Sequence, residues 1–446
     1  MSVVTRKTRI NQAVFVAFGA GAVLAVGALC ATVGNTRVTL PYIFTKTRRY
    51  DPKAWLDGRD RFPSGATLRL VTGEARRDLA PGFYASADAT VSDDGLRALF
   101  SGKRAAGDHW QIWEVALAGG APRQITQGVD NLIRPLYLPP DQIVYTRVGP
   151  EGSDIETAEK PSRLTFVPGR YLTDQLLPDG RILFEADPGS HRREIFTVYP
   201  DGTGVESVRC DHGPDRGEAR QVASGDYVFR SGNRLARFTS ALAVQTDIAQ
   251  PDGEAVGPIA EIAPGVWLVS LRGKSGSFGL YRWNAANRQT VPVETPANGS
   301  AVEPVIVAAR VPPREFPSGL VPTRTAGNLL CLNARTSRTP IDGAAVHMVR
   351  AYTQGADGKP ALLGQTEVER DGSFYIQVPA DRPLRIETVD GSGKTVQAEH
   401  GWFWMRPSEQ RICVGCHAGP ERAPENKVPE VLLRTIVPVR MLEVQP

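Results

Sequence analysis

The fold of this chain is decided by a short phrase that recurs along its middle. Residues 91–100 read VSDDGLRALF, with QIWEV following at 111–115 and QIT at 124–126. An Asp-Gly turn opens one strand, a polar tip follows, and the next strand alternates apolar and polar residues. The phrase returns as LPDGRILF at 177–184 and EIFTV at 194–198. These segments predict antiparallel strands joined by tight turns.

Weaker copies of the phrase fill the rest of the middle region. They contain QIVY at 142–145, DYVF at 226–229 and VWLV at 266–269. The copies recur about every 40–46 residues, which is the period of a propeller blade with four short strands. We therefore predict a β-propeller of five to six blades over residues 61–311, with residues 60–80 able to supply strands for the sixth. A pair of β-sandwiches built from the same strands is the alternative.

Composition agrees with a mainly β protein. The chain has 446 residues, of which 41% are hydrophobic, and 44 Gly and 35 Pro are spread along it. This much apolar material excludes a disordered chain, and the frequent turn formers disfavour long helices. Lys and Arg total 52 against 48 Asp and Glu. That balance predicts no nucleic-acid partner.

Two further segments follow the predicted propeller. A Pro-rich linker is expected over residues 312–325, because proline favours extended, semi-rigid chain. The sequence VERDGSFYIQVP at 368–379 then reads as strand, Asp-Gly turn and strand, and LRIETV at 384–389 as another strand. Residues 326–400 therefore predict a small β-sandwich-like domain, which resembles those of the carboxypeptidase-regulatory type.

The N-terminus predicts a membrane anchor. Arg6, Lys7 and Arg9 precede an uncharged apolar stretch at residues 13–33. At about 1.5 Å per residue, that stretch matches the hydrocarbon core of a bilayer. We expect a signal anchor over residues 1–36 and a juxtamembrane linker over 37–60, with a cleaved secretory signal as the alternative.

The motif that carries chemistry lies near the carboxyl end. Residues 413–417 read CVGCH, the c-type haem attachment sequence. Cys413 and Cys416 are spaced so that each thiol can bond one vinyl group of a porphyrin, and His417 then reaches the iron. A redox C-x-x-C pair needs no adjacent His, and a zinc site needs two further ligands. We predict one covalent haem c in a segment spanning 401–446, on the periplasmic side of a bacterial inner membrane.

Other residues are weaker candidates for ligands. His400 and Met405 precede the motif and could supply the sixth iron ligand, although a solvated histidine and a core methionine are the ordinary alternatives. Cys210 and His212 flank an aspartate after a predicted blade turn. They could hold a metal ion or face the haem, and a buried cysteine beside a surface histidine is the alternative.

Longer stretches around the motif carry a family resemblance. GNLLCLNA at 327–334, WFWMRP at 402–407 and APEN at 423–426, together with the CVGCH motif, resemble the hydrazine synthase alpha subunit family. The propeller phrase resembles the TolB-type repeat. The family resemblance implies a catalytic haem whose iron binds a residue four positions beyond the motif histidine, where this chain has Glu421 in place of tyrosine. It also implies a zinc ion between the motif histidine and a propeller cysteine.

Three functions follow from these features. The first is a periplasm-facing, membrane-anchored haem redox enzyme that acts on a small nitrogen or oxygen compound. The second is a monohaem electron-transfer protein that uses the propeller to dock a redox partner protein. The third is a binding or scaffold protein in which the haem is structural.

Overall fold

The computed structural model describes residues 38, 40–158, 162–189, 192–209, 213–239, 244–274, 276–337, 340–399, 401–415 and 426–443. Nearly all the regular structure in these ranges is β-strand. None of their helices has the length and apolar character needed to cross a bilayer. The predicted anchor at residues 13–33 lies outside these ranges, so it stays a prediction.

The first part of the described chain contributes short strands. In chain order they are β1 (Tyr42–Thr47), β2 (Ala66–Thr72), β3 (Ala75–Asp78), β4 (Ala85–Val91), β5 (Arg97–Lys103), β6 (Gln111–Ala116), β7 (Arg123–Gln124), β8 (Asn131–Leu138), β9 (Gln142–Val148), β10 (Ser153–Thr157), β11 (Arg170–Leu176), β12 (Ile182–Asp187), β13 (Glu194–Val198), β14 (Glu206–Ser207), β15 (Arg216–Gln221), β16 (Tyr227–Ser231), β17 (Arg234–Phe238), β18 (Thr246–Asp247), β19 (Ala255–Ala263), β20 (Val266–Arg272), β21 (Phe278–Asn284), β22 (Gln289–Glu294) and β23 (Ser300–Ile306).

These strands form six blades of a propeller. Blades 1 to 5 take consecutive strands, β4–β7, β8–β10, β11–β14, β15–β18 and β19–β22, and blade 6 has the order β23, β1, β2, β3. The innermost strands contact one another in the order β4, β8, β11, β15, β19 and β23, and β23 returns to β4. The ring is therefore closed around a central channel, which confirms the predicted propeller and its sixth blade.

The propeller begins earlier than the sequence suggested. Tyr42–Thr47 pairs with β23 on one side and β2 on the other, although it lies in residues 37–60, which were predicted to be a juxtamembrane linker. Burial on both faces removes the alternation that marks a strand in sequence. Residues 50–62, hereafter the cap, include a 3-10 helix at Ala54–Asp57. Tyr50 and Arg61 of the cap reach Glu303 on β23.

The Pro-rich segment after the propeller is packed against the blade turns instead of forming a free spacer. Arg310 donates its backbone N–H to the carbonyl of Asp93, and Arg314 donates to that of Pro178. A Cβ atom on Gly180, whose φ is +89°, would lie 2.4 Å from the carbonyl oxygen of Arg314. The Asp-Gly turns of the repeat therefore also provide the close approach that this segment needs.

The last part of the chain forms a two-layer β-sandwich. Its elements are β24 (Ala326–Cys331), a 3-10 helix (Gly343–Ala345), β25 (Met348–Gln354), β26 (Pro360–Glu367), β27 (Phe374–Pro379), β28 (Leu384–Val389), β29 (Thr395–Ala398), β30 (Gln410–Cys413), α1 (Glu430–Arg434) and β31 (Val439–Arg440). One sheet has the order β30, β24, β27, β31 and the other β26, β25, β28, β29. The predicted sandwich is confirmed.

The sandwich extends beyond the predicted boundary at residue 400. β30 and β31 both come from the segment assigned to haem binding, and each adds in parallel to an edge of the first sheet. Met441 fills the core from this segment and is 1% exposed. The haem motif is thus anchored in the sandwich sheet, because its first cysteine is the last residue of β30.

Candidate functional site

Cys413 is held at the point where a strand leaves the sheet. It is in register with Cys331 on the parallel strand β24, and its carbonyl oxygen accepts a hydrogen bond of 2.8 Å from Leu332 N–H. Its partly buried side chain packs against the sandwich core. Burial raises the pKa of the Cys413 thiol to about 11, so the thiol is protonated at neutral pH.

Charged groups from two parts of the chain surround this thiol. The carboxylates of Glu399, Glu206 and Glu409 raise the pKa of Cys413 further, whereas the Arg411 guanidinium lowers it. Glu206 belongs to β14 of blade 3. Blade 3 therefore lies within electrostatic range of the first haem-motif cysteine, which no sequence pattern indicated.

A segment just before the motif fastens the sandwich to blade 3. Trp404 donates its indole N–H to the carbonyl oxygen of Gly202 at 2.9 Å, and Arg406 Nε donates to that of Asp201 at 3.0 Å. Glu409 Oε1 accepts a hydrogen bond from Gly204 N–H at 3.1 Å. Residues 404–409, hereafter the rivet, thus bind the turn between β13 and β14 through three separate contacts.

Aromatic packing supports the rivet. Trp404 is 2% exposed and lies edge-on to Phe166 and Tyr171, with ring centroids 6.2 and 6.4 Å apart. Arg406 lies over the Phe166 ring and pairs with Asp381 of the sandwich at 2.8 Å. The join therefore combines apolar burial with charge-assisted hydrogen bonds, which fix orientation as well as distance.

Met405, which was predicted as a candidate iron ligand, lies in the core of the sandwich. Met405 is fully buried in the sandwich core, and its Cε atom would lie 3.0 Å from a Cβ atom on Gly327. This is the core packing that the sequence left open as the alternative for this residue. Six other candidates lie outside the described residues and stay predictions: Cys210, His212, His400, Cys416, His417 and Glu421.

The sequence analysis did not predict the buried charges in the propeller channel. Each innermost strand bulges near its middle, and on five of them the bulge carries a charged, buried residue: Asp88, Arg134, Asp174, Glu218 and Glu303. Bulges turn side chains out of the ladder alternation, which directs these residues to the channel axis. Asp88, Arg134 and Glu303 are each the single charged residue of their strand, which is the signal in the sequence that could have indicated them.

Ion pairs between blades, and between the blades and the cap, satisfy most of the channel charges. Arg134 pairs with Glu303 at 2.8 Å, and Arg61 of the cap pairs with Glu303 at 2.8 Å and also with Asp88. Although burial alone would raise it, the two guanidinium groups hold the pKa of Asp88 below its ordinary value. Among the described residues no group of three or more His, Cys, Asp or Glu is arranged to hold a metal ion.

Glu185 is a further buried carboxylate close to the channel residues Asp174 and Glu218. Glu185 on β12 is completely buried and pairs with Arg193 at 2.9 Å. Burial raises its pKa to about 8, Arg193 lowers it, and the nearby carboxylates of Asp174 and Glu218 raise it. Burial likewise raises the pKa of Asp174.

Comparison with known proteins agrees with the fold and the motif region. Residues 337–418 match the family model described as the hydrazine synthase alpha subunit middle domain. The curated hydrazine synthase subunit alpha of Kuenenia stuttgartiensis is 30% identical over 97 residues, which are 21% of this chain and 12% of that protein. The match thus spans a small part of the relative's length.

Solved structures extend the likeness to most of the chain. Hydrazine synthase of Kuenenia stuttgartiensis superposes with a TM-score of 0.75 at 18% identity, covering 89% of this chain and 72% of that one. TolB from Acinetobacter baumannii gives a TM-score of 0.46 at 14% identity over 60% of this chain and 66% of that one. The predicted resemblance to the hydrazine synthase alpha subunit is therefore confirmed, in fold over most of the chain and in sequence over residues 337–418.

Proposed function

We propose that this chain is a membrane-anchored c-type haem protein on the periplasmic side of the inner membrane, and that it is a redox enzyme for a small nitrogen or oxygen compound. The observation that carries the proposal is the CVGCH motif, which starts at the last residue of β30 within the segment similar to the hydrazine synthase alpha subunit. Cys413 and Cys416 would form the two thioethers, and His417 would ligate the iron.

The described surroundings of Cys413 are compatible with a haem bonded to that cysteine. Cys413 is partly exposed and closes its strand, so a porphyrin bonded to it would lie outside the sheet instead of inside the core. Burial keeps the thiol protonated until attachment, which protects it from oxidation. When bound, the haem would supply one-electron transfer and an iron that can bind small ligands.

The rivet favours an enzyme over a simple carrier. It fixes blade 3 beside the motif through Trp404, Arg406 and Glu409. Glu206 comes from that same blade and lies four positions before Cys210 in the sequence. The blade can therefore provide one wall of a substrate site, and Cys210 and His212 remain our candidates for a zinc ion shared with His417.

A second candidate is a monohaem electron-transfer protein. Leu433, Ile436 and Val437 follow the CVGCH motif in the chain and expose 73%, 81% and 67% of their surface. Exposed apolar side chains of this kind are typical of surfaces that meet a partner, so a redox protein could dock here.

Spectra of the ferric protein, matured with haem-attachment machinery, test the choice between the two. A high-spin haem whose spectrum shifts with cyanide, nitrite or hydroxylamine supports the enzyme. A six-coordinate low-spin haem that ignores these ligands supports the carrier. The Glu421→Gln variant, compared with Glu425→Gln, tests whether the residue at the family's tyrosine position ligates the iron, because only a ligand change alters the spin state.

A further inference from the structure

Apolar side chains are exposed around the point where the chain first joins the propeller. Leu40, Leu96 and Val311 expose 36%, 65% and 89% of their surface. Two segments near them are also largely exposed: residues 116–121, which read ALAGGA, and residues 308–312, which read AARVP. These residues are hereafter the junction face.

Backbone contacts join the parts of the junction face. Leu117 donates its N–H to the carbonyl oxygen of Leu96 at 2.8 Å. A Cβ atom on Gly95 would lie 2.9 Å from the backbone nitrogen of Ala309. Exposed apolar residues are ordinary where they are scattered singly, but these form one continuous surface.

Charges at the junction face are few and of both signs. Arg310 is the one charged residue in the two segments, and it pairs with Asp93 at 2.6 Å. Asp94 and Arg77 add opposite charges at the margin, where Arg77 donates to the carbonyl oxygen of Leu117 at 2.6 Å. The surface is therefore suited to an apolar contact more than to attraction by a charged partner.

The uncharged turn in this surface is a feature of blade 1 and not of the repeat. Between β6 and β7 the chain carries no charged residue. The corresponding turns of blades 3 and 5, between β13 and β14 and between β21 and β22, contain Asp201 and Arg288. The propeller fold does not require an apolar turn at this position, so the turn in blade 1 needs another reason.

The chain that precedes the propeller indicates what covers the junction face. Pro41, beside Leu40, accepts a hydrogen bond of 2.8 Å from Val307 N–H. The apolar stretch at residues 13–33, which is proposed to span the membrane, ends seven residues before Leu40. Seven extended residues reach at most about 25 Å. A membrane span would thus tether this surface close to lipid, and a tether makes even a small apolar contact effective.

We propose that the junction face docks on the surface of the lipid bilayer, with Leu96 and Val311 among the lipid headgroups. The inference rests on the proposed membrane anchoring and goes beyond it, because an anchor alone leaves the propeller free to rotate. β5 begins beside Leu96 and ends at Lys103, which bonds Asp60 of the cap at 3.0 Å. Burial of the apolar side chains in the headgroup region would therefore hold the cap away from the bilayer.

Photocrosslinking of the native full chain in phosphatidylcholine vesicles tests the proposal. The vesicles contain a phosphatidylcholine with a diazirine near its headgroup, and mass spectrometry of proteolytic peptides locates the lipid adducts. We expect adducts at Leu96, at residues 116–121 and at Val311, as well as at residues 13–33. Val129 is 80% exposed, but it lies at the cap end of the blades and should carry none.

The adducts at residues 13–33 separate the two proposals. Adducts there without any at Leu96 and Val311 would overturn the docking, keep the anchor and leave the junction face to a protein partner. No adduct at residues 13–33 overturns the anchoring and the docking together. Adducts at Val129 as frequent as those at Val311 also overturn the docking, because the propeller would then have no preferred face.

Variants sharpen the test. Leu96→Glu and Val311→Glu, made together, place two charges in the contact and should lower the yield of adducts at residues 116–121 about tenfold or more, relative to the yield at residues 13–33. Val129→Glu is the matched control and should keep the native yield. All three side chains are well exposed, so the substitutions should leave the fold intact. A native yield in the double variant contradicts the docking.

Discussion

The propeller channel and the rivet are both buried and polar, but the charged side chains of the channel join blades to one another, whereas those of the rivet join the sandwich to blade 3. In the channel, Arg61 of the cap forms ion pairs with Asp88 and Glu303, and Arg134 of blade 2 forms one with Glu303 of blade 6. In the rivet, Arg406 uses its charge to bind a backbone carbonyl of blade 3 and a sandwich carboxylate together. The channel charges therefore hold the ring closed, whereas the rivet sets where the motif lies.

The largest effect is expected in the channel. Arg61→Met leaves Asp88 and Glu303 with one guanidinium between them, so the free energy of unfolding should fall by about 3–5 kcal/mol, as when one partner of a buried ion pair is removed. Denaturant unfolding followed by tryptophan fluorescence measures it. The neighbouring Arg59 is exposed, and within the described part of the chain its ion pairs are with surface carboxylates, so Arg59→Met is the control and should unfold like the native chain. Equal stability of the two variants would remove the structural role assigned to the channel pairs.

A smaller effect is expected in the rivet. Trp404→Phe keeps an aromatic ring against Phe166 and Tyr171 but loses the hydrogen bond to Gly202. The loss should be about 1–2 kcal/mol. Limited proteolysis should also cut the linker at 312–325 faster, because the sandwich is held less firmly. Trp402→Phe, a partly exposed tryptophan two residues earlier, is the control. A native cleavage rate in Trp404→Phe would show that the rivet does not secure the sandwich.

The channel also predicts a dependence of stability on pH. Burial raises the pKa of Glu185 in the folded chain to about 8. The contribution of Glu185 to the free energy of unfolding is therefore complete at pH values below its pKa in the unfolded chain, and it is lost as the pH rises towards 8. The native chain should therefore lose unfolding free energy between about pH 5 and 8, and Glu185→Gln should lose less. Thermal unfolding at a series of pH values measures the slopes. Glu367→Gln on the exposed edge of the sandwich should keep the native slope; identical slopes in all three proteins would contradict the prediction.

The smallest expected effect tests how closely blade 3 approaches the motif. Glu206→Gln removes a carboxylate that raises the pKa of the Cys413 thiol, so the haem-free thiol should be alkylated faster at a fixed pH. Mass spectrometry of the peptide that contains Cys413 follows the reaction. Glu254→Gln on blade 5 serves as the control. An alkylation rate unchanged by Glu206→Gln would show that Glu206 of blade 3 does not act on the Cys413 thiol.

The repeat, the sandwich and the haem motif could all be predicted from sequence, because each depends on local residue order. Asp-Gly turns at fixed offsets mark the blades, and a five-residue motif is the basis of the proposed haem attachment. The closing strand Tyr42–Thr47 was missed because it is buried on both faces, so it has no alternation. The approach of Glu206 to Cys413 joins residues about two hundred positions apart, and only the fold determines it.

The attachment of haem is the central claim, and intact-mass analysis tests it most directly. Protein matured with haem-attachment machinery should gain the mass of one haem, and a proteolytic peptide spanning residues 413–417 should carry it. The Cys413→Ala and Cys416→Ala double variant should gain none, while Cys331→Ala should match the native chain. Unmodified thiols in the motif of the matured native protein would contradict the account.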